Sequence, residues 1–319
     1  MLGKNNETRL IVHIGMNKTG SSAIQEFFGK NFVSLRQNGV LFPRTGREKH
    51  KQHLILSNAL GFQSNPREGP AGKRQLASLR AALDAEIATF RPHTVVVSSE
   101  NFSRNRPLTG VVNFFSGYSV EILVYLRRHD HWLASRYFQA LKMVSTPPWR
   151  EGIDSFIKFH LERGSRRGVH ESFAKLVDTW AAAFGPAKVL IRPYEQVQNT
   201  PDLIADMLDT IGTGRKIHAL QTEDVRYNEG ISATGCSRIE NIQRSAISKS
   251  IKNMRINSII AEDRKVKDSP RGADMIAPAL RRQLVEENLD DYSYIARRYL
   301  GRDDGRLFFE PLPGTVERR

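Results

Sequence analysis

The residues Gly15-Met16-Asn17-Lys18-Thr19-Gly20-Ser21-Ser22 follow an apolar run that starts at Leu10. Gly15 and Gly20 have the spacing of a nucleoside-triphosphate loop, G-x-x-x-x-G-K-[ST]. Ser21 stands where that loop has its lysine, and Lys18 lies inside the loop instead. A glycine loop between a strand and a helix gathers backbone N–H groups at a helix N-terminus, a natural anion cradle. The same pattern also suits a plain glycine turn before an ordinary helix.

Two further stretches carry groups suited to chemistry. Ser98-Ser99-Glu100-Asn101 ends an apolar run, and a carboxylate there could serve as a general base or simply cap a helix. Arg127 ends a second run, and Ser135 follows eight residues later. Arginine with a serine suits a phosphate, because the guanidinium fork donates two parallel hydrogen bonds. A basic helix start would also read this way, although cations there oppose the helix dipole. His53 lies between a basic stretch and Leu54-Ile55-Leu56; it is a second candidate base or a capping histidine. His13, on the first strand, reads as a packing residue.

These groups need a frame. Short apolar runs at 10–14, Thr94–Ser98, 120–126 and 188–192 predict strands. Helical spacing predicts helices over 21–35, along the stripe Leu76, Leu79, Leu83 and Ile87, and from Leu133 to Val144. Further helices are expected over Phe173–Phe184 and 201–211. Strands alternating with amphipathic helices give an α/β fold: a P-loop-type parallel central sheet flanked by helices. Residues 228–300 read as a helix-rich segment packed on one domain spanning 1–319. In such sheets ligands bind beyond the carboxyl ends of the strands, where all three polar stretches fall.

The chain has 319 residues, 39% hydrophobic and 26% charged, an ordinary globular balance. One cysteine, Cys236, excludes an internal disulfide framework and a cysteine metal cluster. No apolar run approaches membrane-spanning length, so a cytoplasmic location is expected. The net charge of +14 favours polyanionic partners or a merely basic solvated surface. It also admits peripheral contact with the inner face of a membrane.

HIGMNKTGSSAIQ (13–25) and YLRRHDHWLASRYFQALK (125–142) together resemble the two phosphate-binding motifs of sulfotransferases that use 3′-phosphoadenosine-5′-phosphosulfate (PAPS). The resemblance is to the bacterial and Golgi-type carbohydrate branch, with weaker echoes in SSENF (98–102), RPYEQV (192–197) and NEGIS (228–232). The Arg-Lys-Gly adenosine clamp of cytosolic members is not found, which sets the chain apart from the small-phenol branch. The resemblance implies transfer of a sulfuryl group from PAPS to a glycan or glycolipid hydroxyl or amine, releasing adenosine 3′,5′-bisphosphate. It implies that Asn17, Lys18, Thr19, Gly20, Ser21 and Ser22 hold the 5′ end of the cofactor. Arg127 and Ser135 would hold the 3′-phosphate. Lys18 would act in catalysis, with Glu100 or His53 as base, and no metal is required. The acceptor would be an anionic or neutral glycan or glycolipid; the basic stretches 163–167 and 238–267 could line a groove for an anionic one or simply form a solvated surface.

Two other readings compete. A P-loop kinase would need a lysine at position 21 and a magnesium-binding aspartate at a strand end. A non-enzymatic polyanion binder explains the charge but not the paired motifs, and no nucleic-acid-binding motif is found.

Overall fold

The computed structural model describes residues 8–48, 51–65, 67–143, 146–162, 172–213 and 230–314. The chain forms two compact units. The first comprises Met1–Leu126, Phe173–Tyr227 and Tyr294–Phe309; the second comprises Arg127–Ser172, Asn228–Ser293 and Glu310–Arg319.

The first unit carries the sheet. β1 (Arg9–His13), β2 (Val40–Leu41), β3 (Thr94–Ser98), β4 (Ser119–Leu126) and β5 (Val189–Pro193) lie in the order β2-β3-β1-β4-β5. Every pairing is parallel. Leu10, Ile11, Val12 and Val95 to Val97 are fully buried, as strands covered on both faces must be. The expected α/β sheet is therefore present, with β1 at its centre.

α1 (Ser21–Lys30) follows β1 and buries Ile24, Phe27 and Phe28. The single helix expected over 21–35 is two: α1 stops at Asn31 and α2 (Phe32–Gln37) begins anew. Asn31 donates its side-chain amide to the Phe27 carbonyl at 3.0 Å, the local competition that makes asparagine a poor helix-interior residue. α3 (Leu54–Ala59), α4 (Lys73–Phe90) and α5 (Thr109–Phe114) follow in the same unit.

The second unit opens with α6 (His129–Met143) and α7 (Gly152–Glu162). α8 (Phe173–Phe184) and α9 (Leu203–Thr210) return to the first unit. α10 (Ala233–Arg244), α11 (Lys249–Asp263) and α12 (Pro278–Glu286) lie in the second, and α13 (Leu289–Leu300) begins there and passes into the first at Tyr294. Fully buried Glu240 organises the second unit. It accepts hydrogen bonds from Trp149 Nε1 at 2.7 Å, the Gly152 N–H at 2.8 Å, Arg244 at 3.2 Å and Tyr137 at 3.3 Å. No described helix is long and apolar enough to cross a membrane.

Two buried imidazoles tie the carboxyl ends of the strands together. His13 Nδ1 lies 2.8 Å from Ser98 Oγ, which also accepts from Gln25 at 3.1 Å. His53 Nδ1 accepts from the Ser98 N–H at 3.1 Å, so its Nε2 carries the proton and donates to the Pro43 carbonyl at 3.1 Å. Burial pulls His13 down to about 4. Burial, aided by the nearby Arg47 charge, pulls His53 down to about 3.

Both histidines stay neutral in the fold at pH values where the unfolded chain, at 6.5, takes up protons. The unfolded state then binds more protons, so stability falls as pH falls below 6.5. Each histidine should contribute a slope of up to about 1.4 kcal/mol per pH unit between roughly pH 6.5 and 5. Urea unfolding across that range will show it, and His53→Gln should remove about half of the slope.

Candidate functional site

The site is built where β1 gives way to α1. β1 pairs with β3 on one side and β4 on the other, so the following loop lies at the middle of the sheet's carboxyl edge. The β1–β4 ladder runs on into the loop. Tyr125 N–H donates to the Gly15 carbonyl at 2.7 Å, and Met16 N–H to the Tyr125 carbonyl at 3.1 Å. Thr19 Oγ1 closes the turn on the Met16 carbonyl at 2.7 Å.

Two glycines are required by geometry. Gly15 has φ +101°, and a Cβ there would lie 3.2 Å from Glu100 Cα. Gly20 has φ +75°, and a Cβ there would lie 2.2 Å from Leu203 Cδ2. Lys18 also takes a left-handed conformation, at φ +66°. For a non-glycine residue that backbone costs roughly 1–3 kcal/mol, and such residues gather at ligand-binding turns. The strained position aims a half-buried lysine from the middle of the loop.

α1 starts at Ser21, where Gly20 serves as the cap and no side chain covers the first amides. Ala23 and Ile24 return their N–H groups to the Gly20 carbonyl, at 2.9 and 3.1 Å. The amides before them form the open end that an α-helix presents to an anion. Ser22 is exposed, whereas Ser21 is buried.

The structure brings Glu100 into this loop. Ser21 Oγ donates to Glu100 Oε2 at 2.9 Å, and the Glu100 backbone packs on Gly15. Its other carboxylate oxygen, Oε1, makes no hydrogen bond among the described residues. A strand-end carboxylate and a helix-start hydroxyl are thus bonded to each other at the loop whose backbone carries Lys18. Tyr194 joins it, its ring 3.2 Å from where a Gly20 Cβ would stand. Only its place in the RPYEQV echo marked Tyr194 in the sequence; no periodicity did.

His53 is not suited to the base role expected of it. It is fully buried and both ring nitrogens are engaged. Its proton affinity, at about 3, is too low to draw a proton from an alcohol near neutral pH.

Arg127 and Ser135 belong to the second unit. Arg127 directly follows β4, and Ser135 lies in the second turn of α6; both are half-buried. The sequence suggests that an anion compensates the basic start of this helix. For Arg128 the compensation is internal. Asp130 accepts two hydrogen bonds from it at 2.9 Å, and Glu310 pairs with it at 3.0 Å. Burial pushes the Asp130 carboxyl up, but Arg128, His131 and Arg281 outweigh this and hold it well below the usual carboxylate range. His129 is likewise occupied, its Nδ1 2.6 Å from the Tyr292 hydroxyl.

In the basic stretch 238–267, Lys249, Arg255, Arg264, Lys265 and Lys267 are exposed, whereas three other basic residues are tied to the fold. Arg238 pairs with Glu262 at 2.9 Å, Arg244 with Glu240, and Lys252 donates to the Gln243 carbonyl. The stretch 163–167 and the start of the NEGIS echo lie outside the described residues.

No family model matches the chain, and no curated protein matches it significantly. Among solved structures it is similar to a sulfotransferase from Alicyclobacillus acidocaldarius. That likeness has 13% identity and a TM-score of 0.44, covering 95% of this chain and 98% of that one. It is also similar to a structure of the PezAT toxin–antitoxin system of Streptococcus pneumoniae. There the identity is 13% and the TM-score 0.30, over 81% of this chain and 89% of that one.

Proposed function

We propose that this protein is a sulfotransferase that moves a sulfuryl group from PAPS to a hydroxyl or amine of a glycan or glycolipid. One observation carries the reading: the loop after β1 holds its lysine in a left-handed turn, and Ser21 holds Glu100 at the same loop. A triphosphate loop would need a lysine at position 21; here that position is a buried serine bonded to a carboxylate.

PAPS supplies an activated sulfuryl group on a phosphate. In this reading the open amides at the start of α1, with Thr19 and Ser22, bind the 5′-phosphate. Arg127 and Ser135 bind the 3′-phosphate. Lys18 stabilises the negative charge that builds on the phosphate oxygen as its bond to sulfur breaks. Glu100 takes the proton from the acceptor as the new bond to sulfur forms, while Ser21 keeps the carboxylate in place. The donor set fits the proposed ligand, since a helix N-terminus and a lysine neutralise a phosphosulfate without a triphosphate lysine.

Calorimetry tests the cofactor directly. Adenosine 3′,5′-bisphosphate should bind without magnesium and more tightly than ATP; a magnesium-dependent preference for ATP would indicate a kinase instead. Lys18→Ala should lower turnover of labelled PAPS by about 10²–10³-fold, the range for losing one charge-stabilising donor. The same variant should change bisphosphate affinity by only a few-fold. Glu100→Gln keeps an oxygen for Ser21 but cannot accept a proton. Its turnover should fall by about 10²–10⁴-fold, and the acidic limb of the pH–rate profile should vanish.

A further inference from the structure

The α10–α11 hairpin of the second unit carries more apolar surface than its own packing uses. The two helices run antiparallel. Arg238 near the start of α10 pairs with Glu262 near the end of α11, and Lys252 near the start of α11 donates to the Gln243 carbonyl near the end of α10. Residues 245–248 join them, and Ser248 caps α11. α11 turns Ile256 and Ile259 inward, with Lys252 and Asp263 buried on the same side.

A surface helix that packs one face normally keeps polar residues on the other. α11 does not. Ile251 is 40% exposed and Met254 66% exposed, and both lie away from the buried stripe. Three residues apart, they are neighbours on the helix surface. The connection adds exposed Ala246 and half-buried Ile247.

Single exposed apolar residues are ordinary. These differ in their electrostatic setting. Residues 241–261 contain no acid and no aromatic residue. Lys249 lies in the first turn of α11, and Arg255 follows Ile251 by four residues; both are exposed. Neither makes a hydrogen bond or an ion pair among the described residues. Arg264, Lys265 and Lys267 extend the exposed positive charge past the end of α11, until Asp268. Glu262, the exposed acid of α11, is already paired with Arg238.

Apolar side chains beside unpaired cations match an anionic lipid surface. There the apolar groups enter the headgroup region and the cations meet lipid phosphates. A nucleic acid would use the cations but leave Ile251 and Met254 in water, with no aromatic ring to stack a base. A second copy of the chain would set the same cations against each other. We propose that the α10–α11 hairpin docks this protein on anionic membranes. Ile251 and Met254 insert among the headgroups, and Lys249 and Arg255 bind the lipid phosphates. The proposal stands independently of the sulfotransferase reading.

Vesicle flotation tests it, with phosphatidylcholine alone and phosphatidylcholine mixed with phosphatidylglycerol. Wild type should float with the mixed vesicles and not with the neutral ones, and raised salt should weaken binding. Ile251→Ser with Met254→Ser should weaken it about tenfold, and Lys249→Gln with Arg255→Gln about ten- to thirtyfold. Lys73→Gln with Arg74→Gln removes the same net charge outside the hairpin and should leave binding within about twofold of wild type. All these side chains are exposed, so thermal midpoints should not move. Met254→Cys, carrying an environment-sensitive fluorophore while Cys236 stays buried, reads the site directly: its emission should shift to the blue on mixed vesicles. An unshifted label on floated protein overturns the proposal, as does flotation that the double serine variant leaves intact. Failure of wild type to float with mixed vesicles overturns it too. A duplex oligonucleotide held through Lys249 and Arg255 more tightly than the vesicles would assign the face to nucleic acid instead. A dimer lost in the double serine variant would assign it to a second copy.

Discussion

Where β1 turns into α1 the backbone is left-handed at two crowded glycines, and the rest of the site depends on that constraint. At Gly15 the backbone meets Glu100; at Gly20 it meets Leu203 and Tyr194. Both residues have positive φ, so a substituent would clash and strain the turn together. The contacts draw the segment after β3, the helix α9 and the residues after β5 against one short loop. The loop is thereby held from three sides before any ligand arrives. A held loop can keep Lys18 in a left-handed conformation that a free chain would abandon.

The strand ladder supplies the second part of that rigidity. Parallel pairing does not stop at His13 but continues through Gly15 and Met16 along β4. Beneath it, Tyr125 donates to Asp206 at 2.7 Å, and Arg192 donates to the same carboxylate. Burial, reinforced by the Asp206 charge, pushes the Tyr125 phenol well above its ordinary range, so it remains a donor at all working pH. A polar network thus anchors the strand whose backbone holds the loop. The neutral imidazoles of His13 and His53 perform a similar task on the β3 side. His53, a candidate base in the sequence, is here part of the frame beside His13, the expected packing residue.

Some of the charge that suggests an anionic partner is paired within the protein. Arg128 and Arg281 surround Asp130, and Arg271 binds Asp263 at 2.7 Å. Two guanidinium nitrogens of half-buried Arg47 make no hydrogen bond among the described residues, yet they too are closed to solvent. A net charge of +14 says how many positive groups there are, not which ones remain open to a ligand.

The sequence by itself determined the sheet and the loop. Short apolar runs name β1, β3, β4 and β5, because burial leaves a local signature in residue type, and only β1 is followed by glycine. The short β2 and the helices α3, α5 and α7 were not read from it. Two strand residues or six helical ones carry too few periods, and the eleven residues of α7 went unrecognised despite their apolar spacing. The site divides the same way. Glycine spacing, the displaced Lys18 and the strand-end Glu100 are local features, visible in one dimension. Tertiary structure alone decided that Ser21 would hold Glu100 and that His53 would be sealed between Ser98 and Pro43. The physical reason is distance along the chain. These outcomes depend on solvent exclusion and on groups tens of residues apart, and neither is encoded in any short stretch of sequence.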